Sequence, residues 1–157
     1  MAEYSKLVVF RIDEQRYAFS LSAVVRIVRA VEVTPLPNAP SVALGAIDVA
    51  GRVLPVLSIR KRLGLPGREL TPADQLMIAR TARREVVIVV DETLDVMAVP
   101  LGGMVPATEI LPMLRLVEGV VQLADGLVLI EDLEKFLSLE EERLLDEALS
   151  NAEENAG

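Results

Sequence analysis

Hydrophobic and polar positions alternate with a period of two along most of this chain, the pattern of strands with one buried face. Leu7-Val8-Val9-Phe10-Arg11-Ile12 reads as a strand and Asp13-Glu14-Gln15 as a turn. Arg16-Tyr17-Ala18-Phe19-Ser20-Leu21 reads as the returning strand, with Tyr17, Phe19 and Leu21 on one face. Ser22-Ala23 marks a corner before a strand at 24–31, whose two faces hold Val24, Arg26, Val28 and Val25, Ile27, Arg29. Pro35, Pro37 and Pro40 make 34–40 a loop. The segment from Gly45 to Arg60 then reads strand, tight turn, strand, followed by the basic run Arg60-Lys61-Arg62. A loop at 65–74 leads to a second hairpin, 76–80 with 85–90, whose unbroken apolar run 86–90 predicts burial on both faces. Residues 91–99 resemble the stretch that follows the first hairpin. Three prolines and the Gly102-Gly103 pair predict loop over 100–112, and 118–123 with 127–130 form a third hairpin about a turn at 124–126.

The pattern repeats. Residues 45–63 overlay 119–137 at a constant offset of 74 without a gap: Gly45 on Gly119, Val56 on Ile130, Ile59 on Leu133, Lys61 on Lys135. The early hairpins echo at an offset near 70, with 17–21 over 86–90. Two small barrels of similar design follow, and the fold class expected is all-β. The tail changes period. Ser138 followed three residues later by Glu141 is a capping-box signature. Leu144, Leu145, Ala148, Leu149 and Ala152 recur at helical spacing, so 138–152 reads as a C-terminal helix laying one apolar stripe on the body. The chain reads as a single domain over 1–157, with lobes at 7–75 and 76–137. That boundary stays open, because the first strand can cross into the second lobe.

Composition narrows the chemistry. Hydrophobic residues are 52% of 157 and aromatics only 3%, so Val, Leu and Ile must fill the core. The chain has no Cys, His or Trp, which excludes disulfides, thiolate nucleophiles, imidazole bases and His/Cys zinc sites. Net charge is −8 but polar along the chain: 1–84 carries +6, 85–138 carries −8 and 139–157 carries −6. The acidic balance and scarce aromatics disfavour nucleic acid. The uncharged stretch 33–47 is too short and too broken by proline to insert into a membrane.

No motif assembles a catalytic centre. Asp91, Glu92 and Asp95, and Glu131, Asp132 and Glu134, read as strand-end acids, since sequential acids on alternating faces do not converge on one ion. Ser20 and Ser58 have no imidazole base, and Leu101-Gly102-Gly103 lacks the Lys and Ser/Thr of a phosphate loop. Arg60-Lys61-Arg62 is either solvated surface or a contact for phosphate or an acidic partner. Neither an enzyme nor a cofactor nor a metal site is expected.

The ordered set Leu7-Val8-Val9-Phe10 with Tyr17, the strand at 24–27, Thr34-Pro35-Leu36-Pro37, 45–51, Leu54-Pro55-Val56, Val89-Val90-Asp91 and 119–137 resembles the CheW family, the adaptors of bacterial chemosensory arrays. The resemblance implies two five-stranded SH3-like barrels side by side. It implies a non-catalytic scaffold in the cytoplasm, recruited to receptor arrays at the inner membrane. Such adaptors bridge the regulatory domain of a CheA-type histidine kinase to the cytoplasmic tips of methyl-accepting chemoreceptors. Carried onto this chain, the partner-binding positions are Val24, Arg26, Gly45, Asp48, Ala50 and Gly119. Gly45 and Gly119 either relieve backbone crowding at a corner or let a partner approach closely. The chain departs from the family at polar positions: Arg26 stands where an acid is usual, Asp48 and Ala50 where Asn and Arg are usual, and Ser58 where Asp is usual. The apolar framework is intact, which implies altered partner choice on an unaltered fold. The competing reading is a regulatory barrel pair that binds a small ligand between its lobes.

Overall fold

The computed structural model describes residues 4–100, 104–106, 117–123 and 126–155. In chain order the strands are β1 (Tyr4–Ile12), β2 (Gln15–Ser20), β3 (Val24–Arg29), β4 (Ala43–Val49), β5 (Arg52–Leu57), β6 (Gln75–Arg80), β7 (Glu85–Val90), β8 (Glu92–Pro100), β9 (Met104–Pro106), β10 (Val117–Leu123) and β11 (Gly126–Glu131). The helices are α1 (Ile59–Leu63) and α2 (Leu139–Asn155), and 3-10 turns cover Leu21–Ala23 and Leu133–Lys135. Pro100, at the end of β8, and all of β9 fall where loop was expected. The rest of that loop, with Gly102-Gly103, and the turn residues Ala124 and Asp125 lie outside the described residues.

The strands form one sheet in the order β3-β6-β7-β5-β4 and another in the order β8-β1-β2-β11-β10-β9. The all-β class with a C-terminal helix stands. The ladders, however, do not close into barrels, and the second sheet carries β9 as a sixth strand. In the first sheet β3 and β4 remain the two edges, and the chain beyond β3 reaches β4 only through an isolated bridge between Thr34 and Ala46.

The repeat read from the sequence has a register counterpart. Gly45 lies opposite Val56 and Gly119 opposite Ile130, and each ladder is irregular just before the glycine. β5 runs parallel to β7 with Val56 beside Val87, and β11 runs parallel to β2 with Ile130 beside Ala18. The central hairpins match as well: Ile78 pairs with Val87 in one, Val9 with Ala18 in the other. Sheet membership nevertheless changes at Val24 and at Glu92, not between 75 and 76. The β6–β7 hairpin belongs with β3–β5, while the first hairpin crosses to join β8–β11.

This crossing creates three cores. Ile47, Val49, Leu54, Val56, Leu76, Ile78 and Val87 fill the first sheet's own core. Leu7, Val9, Ala18, Val99, Val121, Val128 and Ile130 fill the second's. The third lies between the sheets. Val8, Phe10, Tyr17 and Phe19 of β1–β2 meet Met77, Ala79, Val86 and Ile88 of β6–β7 there, joined by Leu57, Ile59, Leu133, Phe136 and Leu145. The alternating residues of both central hairpins are therefore buried on both faces, as the apolar run 86–90 predicts.

Helix α2 starts at the expected capping box. The Glu141 backbone N–H donates to Ser138 Oγ at 3.1 Å, and the Ser138 N–H donates to Glu141 Oε1 at 2.9 Å. Leu145 and Ala148 are buried, with Leu144, Leu149 and Ala152 partly so. Arg84 pairs with Glu142 and Asp146, and Arg62 pairs with Glu141 while lying 5.7 Å over the Phe136 ring.

A run of charges pins the point where the chain passes from one sheet to the other. Asp91 sits between β7 and β8 and accepts from the Asp13 backbone N–H at 2.7 Å, from Arg60 at 3.1 Å and from Arg68 at 2.7 Å. Arg60 also donates to Asp13 at 2.7 Å, and Arg68 to Asp74 at 2.6 Å. Burial works to raise the pKa of both Asp74 and Asp91. For Asp91 the Asp13 N–H, Arg60 and Arg68 outweigh it, and for Asp74 Arg68 and the Thr71 N–H do; both carboxyls lie below the ordinary aspartate range. The folded state keeps them ionised while the unfolded chain takes up protons, so their contribution is present above about pH 4 and is lost as pH falls further. Asp91→Ala leaves Arg60 and Arg68 short of a partner and is expected to cost about 2–3 kcal/mol in urea unfolding at pH 7. Its acid limb should be shallower than the wild type's; an unchanged limb counts against this assignment.

Candidate protein-interaction surface

Edge strands are where sheets meet other molecules, and β3 and β8 are the corresponding edges of the two sheets. Each is bulged at the same point. Val24 lies opposite Ala79 and Arg26 opposite Ile78, leaving Val25 extra; Thr93 lies opposite Phe10 and Asp95 opposite Val9, leaving Leu94 extra. The bulged residues Val25 and Leu94 fall out of the ladder, and Ile27 and Val96 beyond them stay exposed on the open edge. Val25 is 45% exposed and Ile27 38%; Leu94 is 42% exposed and Val96 58%. A charge stands within each pair. The first edge reads Val25-Arg26-Ile27 and the second Leu94-Asp95-Val96. Arg26 makes no hydrogen bond or ion pair with the other described residues. The two edges thus share a shape and carry opposite charge.

The residues carried over from the family resemblance fall on three elements. Val24 and Arg26 are on β3, where Val24 is partly buried against the inter-sheet core and Arg26 is exposed. Gly45 and Asp48 are on β4, with Ala50 in the turn after it, at the opposite edge of the same sheet. Gly119 is on β10 in the other sheet, buried between Pro106 and Ile130. The ladder does not make Arg26 a neighbour of Asp48 and Ala50.

Two of these positions answer to the backbone. Gly45 has φ +152°, and a Cβ there would stand 2.2 Å from the Thr34 carbonyl oxygen. Thr34 occupies the space that a partner would have entered, so the crowding reading holds at Gly45. Ala50 and Gly51 are the two turn residues between the paired Val49 and Arg52, with φ +52° and +85°. Two positive φ values make this a type I′ hairpin turn, which favours Asn, Asp or Gly at its first position. Asp48 steadies it by accepting from the Gly51 N–H at 2.8 Å. Ser58 is also structural: it is buried and its Oγ accepts from the Lys61 N–H at 3.2 Å, capping α1.

The basic run is not a free patch. Arg60 holds Asp13 and Asp91, Lys61 Nζ donates to the Ser41 carbonyl at 2.8 Å, and Arg62 holds Glu141. A cavity of about 90 Å³ beside it is lined by Arg60, Arg68, Asp74 and Asp91, whose charges already satisfy one another. No group of three or more Asp or Glu side chains is placed to hold a metal among the described residues.

Val25, Ile27, Leu94 and Val96 were not singled out from the sequence as a surface. The signal present was the echo of 24–31 in 91–99; what it lacked was the bulge and the edge position of both strands, which together leave these side chains exposed.

Comparison with known proteins gives a consistent result. The CheW-like domain family matches residues 6–141. The chemotaxis protein CheW of Rhizobium meliloti is 31% identical over 105 residues, covering 67% of this chain and 68% of that protein. The chemotaxis protein CheW of Bacillus subtilis is 35% identical over 94 residues, 60% of each chain. The crystal structure of the scaffolding protein TtCheW from Thermoanaerobacter tengcongensis superposes with a TM-score of 0.79 at 23% identity, covering 88% of this chain and 96% of that one.

Ala50→Gly removes the cost of a Cβ at positive φ and should raise stability by about 0.5–1 kcal/mol. Gly45→Ala drives a methyl into the Thr34 carbonyl and should lower it by about 2–4 kcal/mol. Urea unfolding of both variants checks the pair, and equal midpoints would refute the backbone roles assigned to the Ala50 turn and to Gly45 on β4.

Proposed function

The chain belongs to the CheW-like domain family and is by that membership a non-catalytic chemotaxis scaffold, and from this premise we propose that it couples the cytoplasmic tips of methyl-accepting chemoreceptors to the regulatory domain of a CheA-type histidine kinase. The observation that carries the proposal is the pair of corresponding edges, each an exposed apolar pair about a charge, Arg26 on one and Asp95 on the other. Exposed apolar side chains with a charge beside them along an open sheet edge suit a protein contact, and a charge of opposite sign on each edge tells two partners apart. Arg26 with Val25 and Ile27 contacts one partner directly. Asp48 and Ala50 extend that sheet's contact surface at the β4–β5 turn, while Val24, Gly45 and Gly119 act by holding their strands in place.

No helix among the described residues is long and apolar enough to cross a membrane. In the proposed role the protein works in the cytoplasm and is held at receptor arrays on the inner membrane through its partners. The small-ligand reading gains no support from either of two cavities among the described residues: the one beside α1, about 90 Å³, and a more open one of about 240 Å³ lined by Ala30, Glu32, Leu70 and Pro72 both fall short of the roughly 300–1,000 Å³ typical of ligand pockets.

Two paired substitutions test this against the purified kinase regulatory domain and a receptor cytoplasmic fragment. Val25→Asp with Ile27→Asp should weaken one partner about tenfold or more, a loss of roughly 1.4 kcal/mol. Leu94→Lys with Val96→Lys should weaken the other, each variant keeping its wild-type circular dichroism. Wild-type binding of both partners by both variants would defeat the proposal. A second test restores the family's usual charges. Arg26→Glu with Ala50→Arg should strengthen receptor binding, and an unchanged Kd removes these positions from the interface.

A further inference from the structure

Glu131 ends β11 at the position where Leu57 ends β5. Glu131 lies opposite Val117 as Leu57 lies opposite Ala43, each at the ladder irregularity before its glycine. Leu57 is fully buried in the inter-sheet core. Glu131 is buried to nearly the same degree, 4% exposed, between Ile130 of the second sheet's core and Leu133 of the inter-sheet core. Its Oε1 has no hydrogen-bond partner, and no Lys or Arg among the described residues forms an ion pair with it.

The charged groups around it are paired elsewhere or are themselves acidic. On β2 the Tyr17 hydroxyl is raised by burial first, then by the Glu131 and Asp13 charges, against a lowering by Arg60. Arg60 on α1 is committed to Asp13 and Asp91. Arg16 on β2 lies across from Val128. Asp132, on the following turn, accepts from the Glu134 N–H and approaches Lys135, and Glu142 on α2 is held by Arg84. A buried carboxylate without a cation is costly, and the neutral acid is the form such a site accepts.

We propose that Glu131 is a proton-operated element of the inter-sheet core: as the neutral acid it lets β11 and the Leu133–Lys135 turn pack against β2, and loss of its proton loosens that packing. Burial raises the carboxyl to about 7, which places the change near neutrality. The chain contains no histidine, so the side chain that most often titrates in this range is missing, and a glutamate takes its place. The sign follows from linkage. The unfolded chain releases this proton near the ordinary glutamate value and the folded chain only near 7, so stability falls as pH rises between the two and is level above.

Urea unfolding of the full chain, wild type beside Glu131→Leu and Glu131→Gln, is measured from pH 5 to 8.5 with hydrogen exchange of the same samples. Across that range the wild-type unfolding constant should rise on the order of 100-fold more than that of either variant. Amides of β11, of the Leu133–Lys135 turn and of β2 should lose protection in the wild type alone, after correction for intrinsic exchange. A parallel pH dependence of wild type and variants overturns the proposal, and so does protection of those amides that is level across neutrality. Should both variants fail to fold, carbon-detected NMR of the wild-type Glu131 carboxyl decides: titration near 7 supports the proposal, and titration in the ordinary glutamate range overturns it.

Discussion

The packing of the β1–β2 hairpin on the β6–β7 hairpin is the contact on which the rest of the molecule depends. Each hairpin uses one face for its own sheet and the other for its counterpart. The two sides are filled differently. Phe10, Tyr17 and Phe19 project from the first hairpin, with Phe10 and Phe19 ring centroids 5.1 Å apart and Phe10 stacked on Tyr17 at 6.0 Å. The corresponding positions of the second hairpin hold Ala79, Val86 and Ile88. Aromatic rings on one side meet aliphatic side chains on the other, and the seam is buried although the chain has few aromatics. Because the first hairpin comes from the start of the chain yet lies in the sheet of the last strands, the sheets cannot part without disturbing both.

The polar groups follow from this seam. Passing from β7 to β8 takes the chain from one sheet to the other at Asp91, and Arg60 and Arg68 meet that carboxylate from α1 and from the loop before β6. Charges that read in sequence as a basic surface run are consumed in fastening the crossing. The same holds at the tail, where Arg62 and Arg84 hold α2 so that its Leu145 joins Phe136 in the inter-sheet core. Surface ion pairs are each worth little; these are shielded, shared between several partners and placed where chain segments distant in sequence must meet.

Period and punctuation made most elements legible. The hairpins, the 34–40 loop, the capping box and the α2 stripe rest on local chemistry, which a linear reading captures. The gapless repeat disclosed two sheets of one design. Which hairpin joins which sheet was not legible, because strand pairing at long range leaves no periodic trace: Tyr17 beside Leu129 and Val56 beside Val87 are equally plausible from alternation alone. Bulges are silent for the same reason, which hid the outward turn of Val25 and Leu94. Glu131 was read as one of several strand-end acids and does end β11, but its burial was not legible, since burial at that point depends on the register against Val117 rather than on its neighbours in sequence. Ser58 and Gly45, singled out as polar or partner positions, proved to be a helix cap and a close backbone approach.

Duplication supplies two equivalent frames, and divergence at matched positions gives each its own chemistry. At the sheet's end the pair is Leu57 and Glu131, one an inert core residue and the other a buried acid. At the edges it is Arg26 and Asp95. Had both edges kept the same charge, a partner complementary to one would fit the other, since the bulge and the apolar pair are common to both. Opposite charges remove that ambiguity at small cost, because both side chains are exposed and neither needs an internal counterion. Under the proposed function, in which the scaffold holds two different proteins at once, this arrangement brings a gain that a single-partner protein does not need. In the proposed role the frame shared by the two sheets sets where the two contacts stand, and the matched charge at each sets which protein takes which place.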